Sequence, residues 1–189
     1  MSFFPALLKL QDKKILLVGG GNVALQKLRQ LLKFTTNITI ISPKINKEIL
    51  LLIDKYNLNY INREYRSGDI NNHFIVVVAV DSLEIQKMIY NEATKKGVLC
   101  NSVDSIEYCD FIFPSIIKRD DLIIAISTSG SSPSISKYLK QKIEKILPKS
   151  ITQKLQELKN IRYTKPKGKE RQKLLDKIAK EYIDKNITL

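Results

Sequence analysis

Three groups of residues in this sequence are of types, and at spacings, that could do chemistry. Gly19-Gly20-Gly21-Asn22-Val23-Ala24 has the spacing G-x-G-x-x-A and follows the apolar run Ile15–Val18. After a strand and ahead of a helix, that spacing is the dinucleotide-binding fingerprint. Gly19 would allow the tight turn, Gly21 would let backbone approach a pyrophosphate, and Ala24 would let the helix pack closely. The helix N-terminus would face the phosphates with unpaired N–H groups and a partial positive charge. A glycine-rich turn with no ligand is the competing reading. The second group is Asp104, just after the strand Val98–Asn101, where the crevice of a parallel sheet opens. On pattern alone an Asx turn explains it equally well. The third is the run Ser127–Ser132, whose hydroxyl and backbone donors suit carboxylates.

The elements that would position these groups alternate. Strands are expected at Ile15–Val18, Asn37–Ile41, Tyr60–Glu64, Phe74–Val80 and Val98–Asn101. Helices are expected at Val23–Phe34, Ile45–Tyr56 and Ser82–Lys96, the last stopped by Gly97. In the first helix Val23, Leu28, Leu31 and Leu32 share a face, and Lys27, Arg29 and Lys33 fall more outward. Alternation at this spacing implies a parallel, doubly wound α/β sheet of Rossmann type. Asp81 could edge the cleft after the strand Phe74–Val80 or cap the helix from Ser82.

The pattern then changes. Phe111–Ile117 and Leu122–Ser127 read as a hairpin across Lys118-Arg119-Asp120-Asp121. Ser132-Pro133 makes a cap and first turn for a helix from Ser134 to Leu147, ended by Pro148. The last forty residues are helical and lysine-rich. Ile151, Leu155, Leu158 and Ile161 line one face and Leu174, Ile178 and Tyr182 another, with a break at Lys165–Lys169.

Composition narrows the class. The 189 residues are 43% hydrophobic and 27% charged, which excludes disorder of the whole chain. The longest apolar run, Phe74–Val80, is too short to cross a bilayer. MSFFPALLKL lacks the basic start and cleavage site of a signal peptide, so the expectation is a soluble, cytoplasmic protein. Cys100 and Cys109 lack zinc-ligand spacing and read as ordinary reduced thiols. His73, the only histidine, reads as a loop residue. The net charge of +13 calls for an anionic partner, nucleic acid or small molecule. No DNA- or RNA-reading motif or stacking platform accompanies it. At the end of the second strand stands Ile41-Ser42-Pro43-Lys44, without the usual ribose-binding acid, so NAD and NADP stay open.

Four stretches carry a resemblance: Asn101-Ser102-Val103-Asp104, Cys109-Asp110-Phe111-Ile112-Phe113-Pro114-Ser115-Ile116-Ile117, Ala125-Ile126-Ser127-Thr128-Ser129-Gly130-Ser131-Ser132-Pro133, and Phe4-Pro5 with Leu8 and Leu10. From about residue 3 to about residue 150 the chain resembles the precorrin-2 dehydrogenase family, the dehydrogenase part of sirohaem synthases. The resemblance implies NAD-dependent oxidation of precorrin-2 to sirohydrochlorin, with insertion of Fe²⁺ or Co²⁺ left open. It implies a Rossmann domain at 1–113, a dimerisation segment at 114–147 and a helical domain at 148–189, in a homodimer. It assigns Asp104 as general base and a possible aid to metalation. Asn22, Val23, Pro43 and Lys44 fall at the family's NAD-contact positions, beside Gly19 and Gly21. Ser127, Thr128 and Ser129 would bind the carboxylates of the tetrapyrrole. The family pattern requires neither His73 nor the cysteines. A chain ending at Leu189 would lack the fused methyltransferase module and would depend on a separate methyltransferase. The other reading kept open is a non-enzymatic nucleotide-sensing module.

Overall fold

The computed structural model describes residues 3–187, in two compact units that meet in sequence at Ile112 and Phe113. The first unit runs β1 (Ile15–Val18), α1 (Asn22–Leu31), β2 (Ile38–Ile41), α2 (Lys47–Tyr56), β3 (Asn59–Ile61), β4 (Ile75–Val78), α3 (Leu83–Lys96) and β5 (Leu99–Ser102). Its strands form one parallel sheet in the order β3-β2-β1-β4-β5. The reason lies in the strand sequences. Ile15-Leu16-Leu17-Val18 and Ile75-Val76-Val77-Val78 have no polar face, and every one of these residues is buried. Only a central strand covered on both sides accepts such a run. On one face Leu16, Val18, Val76 and Val78 cluster with Ile89 and Ala93 of α3. The alternate residues Ile15 and Leu17 are equally closed, and α1 contributes buried Ala24, Leu25, Leu28 and Leu31. Each fully buried Leu or Ile is worth roughly 1.5–3 kcal/mol.

The register matters for the site. Val18 pairs with Ile41 and Val78, and Val78 with Ser102, so the C-terminal ends of β1, β2, β4 and β5 stand in one row. The residues that follow, Gly19, Ser42, Ala79 and Val103, open the crevice where such sheets bind ligands.

The second unit runs β6 (Ser115–Arg119), β7 (Leu122–Ile126), α4 (Pro133–Ile146), α5 (Ile151–Thr164) and α6 (Lys169–Asn186). The Ser132 hydroxyl caps α4 by accepting from the Ile135 N–H at 3.3 Å, with Pro133 in the first turn. The Arg119 guanidinium donates to the carbonyls of Glu144, Leu147 and Pro148, closing the C-terminus of α4. α5 and α6 pack together, with Ser150 and Tyr182 hydroxyls 2.8 Å apart. Arg171 bridges the break between them by donating to the carbonyls of Arg162 and Lys165.

Several expectations are corrected. The hairpin turn is Asp120-Asp121 alone, because β6 continues through Lys118 and Arg119, which pair with Ile123 and Leu122. Asp120 accepts the positive φ of 49° that such a tight turn needs. Phe111–Pro114 is not strand, and the Phe111 carbonyl accepts from the Asn101 side chain instead. On α1 the expected faces are partly exchanged: Val23 is exposed and Lys27 is half-buried. Among the described residues no helix is long and apolar enough to cross a membrane.

Candidate active site

The glycine turn is built by two close approaches. Gly19 has φ 119°, and a Cβ there would lie 2.2 Å from the Ala79 carbonyl oxygen at the end of β4. A Cβ on Gly20 would lie 2.1 Å from the Lys44 carbonyl oxygen. These two glycines are therefore demanded by the protein's own packing. Gly21 differs, since a Cβ there meets nothing within 4 Å. The backbone at Gly21 is bare toward open space, as an approaching pyrophosphate requires. α1 starts from Gly21 without a side-chain cap and has no acid in its first turn. By contrast α2, α3 and α4 are capped by Asn46, Ser82 and Ser132. The start of α1 thus keeps its donors and partial positive charge for an anion. The residues present fit a dinucleotide.

The loop after β2 is fastened to this turn. The Asn46 N–H donates to the Gly20 carbonyl at 2.8 Å, and the Asn46 amide donates to Asn22 Oδ1 at 2.8 Å. The same Asn46 side chain caps α2 by accepting from the Glu48 N–H. The buried Ser42 hydroxyl donates to the Lys44 carbonyl at 2.6 Å, and Tyr60 donates to the Ser42 carbonyl. Pro43 and Lys44 are left exposed beside the glycines. Gly20 and Asn46 were missed by motif reading, because their task is to join two loops distant in sequence.

Asp104 stands at the end of the same row, after β5. It is exposed, with φ 62°, a conformation that Asp tolerates better than most residues. The turn beneath it is firmly held. The Val103 N–H donates to the Val78 carbonyl, and the Cys109 thiol donates to the carbonyls of Ser102 and Ser105 at 3.1 and 3.4 Å. The Asn101 amide donates to Phe111 at 2.9 Å, while its buried Oδ1 has no partner among the described residues. Asp110 accepts from the Cys100 N–H at 2.9 Å.

Lys27, on α1, lies within electrostatic reach of Asp104 and Cys109. Burial holds its ammonium below the usual lysine range, against the opposing pull of those two groups. The signal for it was in the sequence: Ala24, Lys27, Leu28 and Leu31 follow the spacing of a buried helical face. Burial pushes the Cys100 thiol up to about 12 and raises Cys109 also, so both free thiols stay protonated and unreactive. Asp81 is exposed and does not cap α3; Ser82 does. His73 sits in the loop before β4, its Nδ1 3.1 Å from the Asn71 carbonyl.

In the second unit the hydroxyl loop is internally bonded. Thr128 Oγ1 donates to the Ser132 carbonyl and accepts from the Ser132 N–H, both at 3.0 Å. Ser127 Oγ accepts from the Ser129 N–H at 3.0 Å. Ser129 and Gly130 have φ of 52° and 89°. Ser127 and Ser129 are exposed, and Thr128 is half-buried.

Comparison with known proteins bears on the whole arrangement. A model of the NAD(P)-binding family matches residues 6–115, which include the glycine turn, Lys44 and Asp104. The siroheme synthase of Baumannia cicadellinicola is 33% identical over 148 residues, covering 78% of this chain and 32% of that protein. Siroheme synthase 1 of Aeromonas hydrophila is 35% identical over 153 residues, 81% of this chain and 33% of that protein. The chain spans about a third of the length of these relatives. The solved structure of SirC, precorrin-2 dehydrogenase, superposes with a TM-score of 0.80 at 26% identity, covering 93% of this chain and 89% of SirC.

Proposed function

We propose a function from one premise: the chain belongs to the NAD(P)-binding family, and it resembles precorrin-2 dehydrogenases as its motifs implied. It oxidises precorrin-2 to sirohydrochlorin, removing one hydride and one proton. When bound, NAD⁺ supplies the hydride acceptor. The observation that carries this reading is the row of strand ends that sets the open Gly21 turn and Asp104 on one edge of one sheet.

Each residue then has a task. Gly19 and Gly20 shape the turn, and the backbone from Gly21 to Val23 donates to the pyrophosphate. The Asn22 side chain is held by Asn46, which fixes the mouth of α1. Pro43 and Lys44 flank the ribose, where no acid selects against a 2′-phosphate. Asp104 takes the proton from the ring carbon and, being exposed, passes it to solvent. Ser127, Thr128 and Ser129 bind substrate carboxylates, chiefly through the exposed Ser127 and Ser129. The net charge of +13 attracts a polycarboxylate over long range. Insertion of Fe²⁺ or Co²⁺ would use the same carboxylate to take the pyrrole protons.

The chain acts as a cytoplasmic homodimer through residues 114–147. The support is a stripe of exposed apolar side chains on α4, formed by Ile135, Tyr138, Leu139 and Ile146.

The test is anaerobic absorbance spectroscopy with precorrin-2 and NAD⁺ or NADP⁺, followed by Fe²⁺ or Co²⁺. A sirohydrochlorin spectrum that requires the dinucleotide and is lost in Asp104→Ala is expected. Folded protein that binds NAD⁺ yet leaves precorrin-2 unchanged would overturn the reading in favour of a nucleotide sensor.

A further inference from the structure

The end of β2 lacks the group that would reject a 2′-phosphate. In dinucleotide folds this strand end meets the adenosine ribose, and an acid there accepts from the 2′-hydroxyl and repels a phosphate at the same place. Ile41 stands in register with Val18, which precedes the glycine turn, so the position falls on Ser42-Pro43-Lys44. Ser42 does not replace the acid. It is buried, and its hydroxyl turns back on the Lys44 carbonyl at 2.6 Å. The first carboxylate beyond β2 is Glu48, and it is ion-paired with Arg29.

Lys44 supplies the opposite charge. Its backbone is fixed against the turn, because Ser42 holds its carbonyl and a Cβ on Gly20 would lie 2.1 Å from that same oxygen. The Asn46 N–H closes the contact by donating to the Gly20 carbonyl at 2.8 Å. The Lys44 side chain is exposed, and among the described residues its ammonium has no hydrogen bond or ion pair. It is thus a free cation whose root cannot drift from the dinucleotide turn. A compact ammonium pairs with a phosphate dianion far better than with a neutral ribose hydroxyl. Lys47 adds a second exposed cation at the start of α2, but it is Lys44 whose backbone abuts the glycines.

We propose that Lys44 is a specificity residue for the cofactor, its ammonium pairing with the 2′-phosphate of NADP⁺, so that the chain accepts NADP⁺ at least as readily as NAD⁺. This rests on the proposed reading of the glycine turn as the dinucleotide site, and it holds whichever substrate is oxidised.

The test is equilibrium binding to the full chain by calorimetry, with no turnover required. NADP⁺ is expected to bind at least as tightly as NAD⁺. The pair 2′,5′-ADP and 5′-AMP isolates the phosphate, and at low salt the first should bind about fivefold more tightly. That advantage should shrink as salt is raised. Lys44→Met should lower the ratio of NADP⁺ to NAD⁺ affinity about fivefold, and Lys44→Arg should keep it. A merely structural role would weaken both dinucleotides together, so an unchanged ratio in Lys44→Met overturns the assignment. A ratio that falls in Lys47→Met and not in Lys44→Met overturns it also. Wild type that binds NAD⁺ about tenfold or more tightly than NADP⁺ rejects the proposal outright, and that result needs no variant to fold. If the preference for the 2′-phosphate is found while precorrin-2 is left unchanged, the specificity stands and the dehydrogenase reading has failed.

Discussion

The first unit is held by its interior and the second by its edges. In the first, β1 and β4 are sealed on both faces, with Leu16, Leu17, Val76 and Val77 fully buried. In the second, Ile117 and Ile151 are the buried apolar residues among those described, and α6 has none. What joins the second unit is polar: the Arg119 clamp on α4, the Ser150–Tyr182 pair and Arg171 across the helix break. At the same time Tyr138 is 63% and Ile135 54% exposed. These exposed residues on α4 are the surface on which the proposed dimer rests. The first unit also exposes apolar side chains, Leu51 and Leu83 among them, but its sheet is sealed within itself, and it is the unit that carries the glycine turn and Asp104.

The sharpest way to break this contrast is at Gly19. Gly19→Ala forces a side chain into positive φ and against the Ala79 carbonyl, and should destabilise the first unit by roughly 3 kcal/mol or more. Thermal unfolding and NAD⁺ titration should both collapse. Gly21→Ala separates the two effects, since its Cβ meets only open space. Its melting temperature should match wild type while NAD⁺ affinity falls at least about tenfold.

Next comes the core itself. Leu17→Ala should cost about 2–5 kcal/mol in urea unfolding. Leu158→Ala, at a half-buried site on α5, should cost under about half of that. Equal losses would show that α5 is packed as tightly as β1, which would break the contrast between the units.

A smaller effect is expected on α4. Ile135→Asp with Leu139→Asp removes apolar surface that is already exposed, so the isolated chain should keep its melting temperature. In sedimentation velocity the double variant should be monomeric where wild type is dimeric. A wild type that is monomeric at high concentration would refute the proposed dimer.

The smallest is a pH effect in the first unit. Asp69 is held below its usual range by the Arg63 guanidinium, which donates to both carboxylate oxygens at 2.6 and 2.7 Å. Glu92 is also lowered, against desolvation, by hydrogen bonds from the Gly68 N–H, Tyr65 and Lys96. Both groups bind protons more weakly folded than unfolded. Their contribution is complete above the ordinary carboxylate pKa of about 4 and is lost as pH falls through the lower folded values. The urea midpoint should fall below about pH 4, and Asp69→Asn should flatten that part of the curve.

The sequence made the sheet readable where one residue type settles the matter. An apolar run of four before three glycines points to a buried strand, as β1 is, and Gly97 with φ 65° ends α3 as expected. Ser132-Pro133 starts α4 because a hydroxyl cap and a fixed φ are local facts. The candidate residues Gly19, Gly21, Asn22, Val23, Pro43, Lys44 and Asp104 do assemble along one sheet edge, because strand ends in a parallel sheet align. What stayed hidden depends on distant partners. Lys27 is half-buried because its spacing along α1, not its charge, decides which face it joins. Val23 is apolar yet exposed, because in the first turn of α1 it is Ala24 and Leu25 that face the packed side. The roles of Gly20 and Asn46 exist only once the β2 loop has folded back onto the first turn.

The strand order has a further consequence for how the molecule comes into being. β1 lies in the middle of the sheet, and Ile15 must wait for Ile75 to emerge before its second neighbour exists. β5, which precedes Asp104, emerges later still. During synthesis the glycine turn is therefore exposed on a half-built sheet with one open apolar edge, the state most prone to wrong pairing. The hairpin and helices that follow contact mostly near neighbours in sequence and can form as they leave the ribosome. Slow codons or a chaperone would thus act most strongly between β2 and β4, while the edge that bears the glycine turn still lacks β4 and β5.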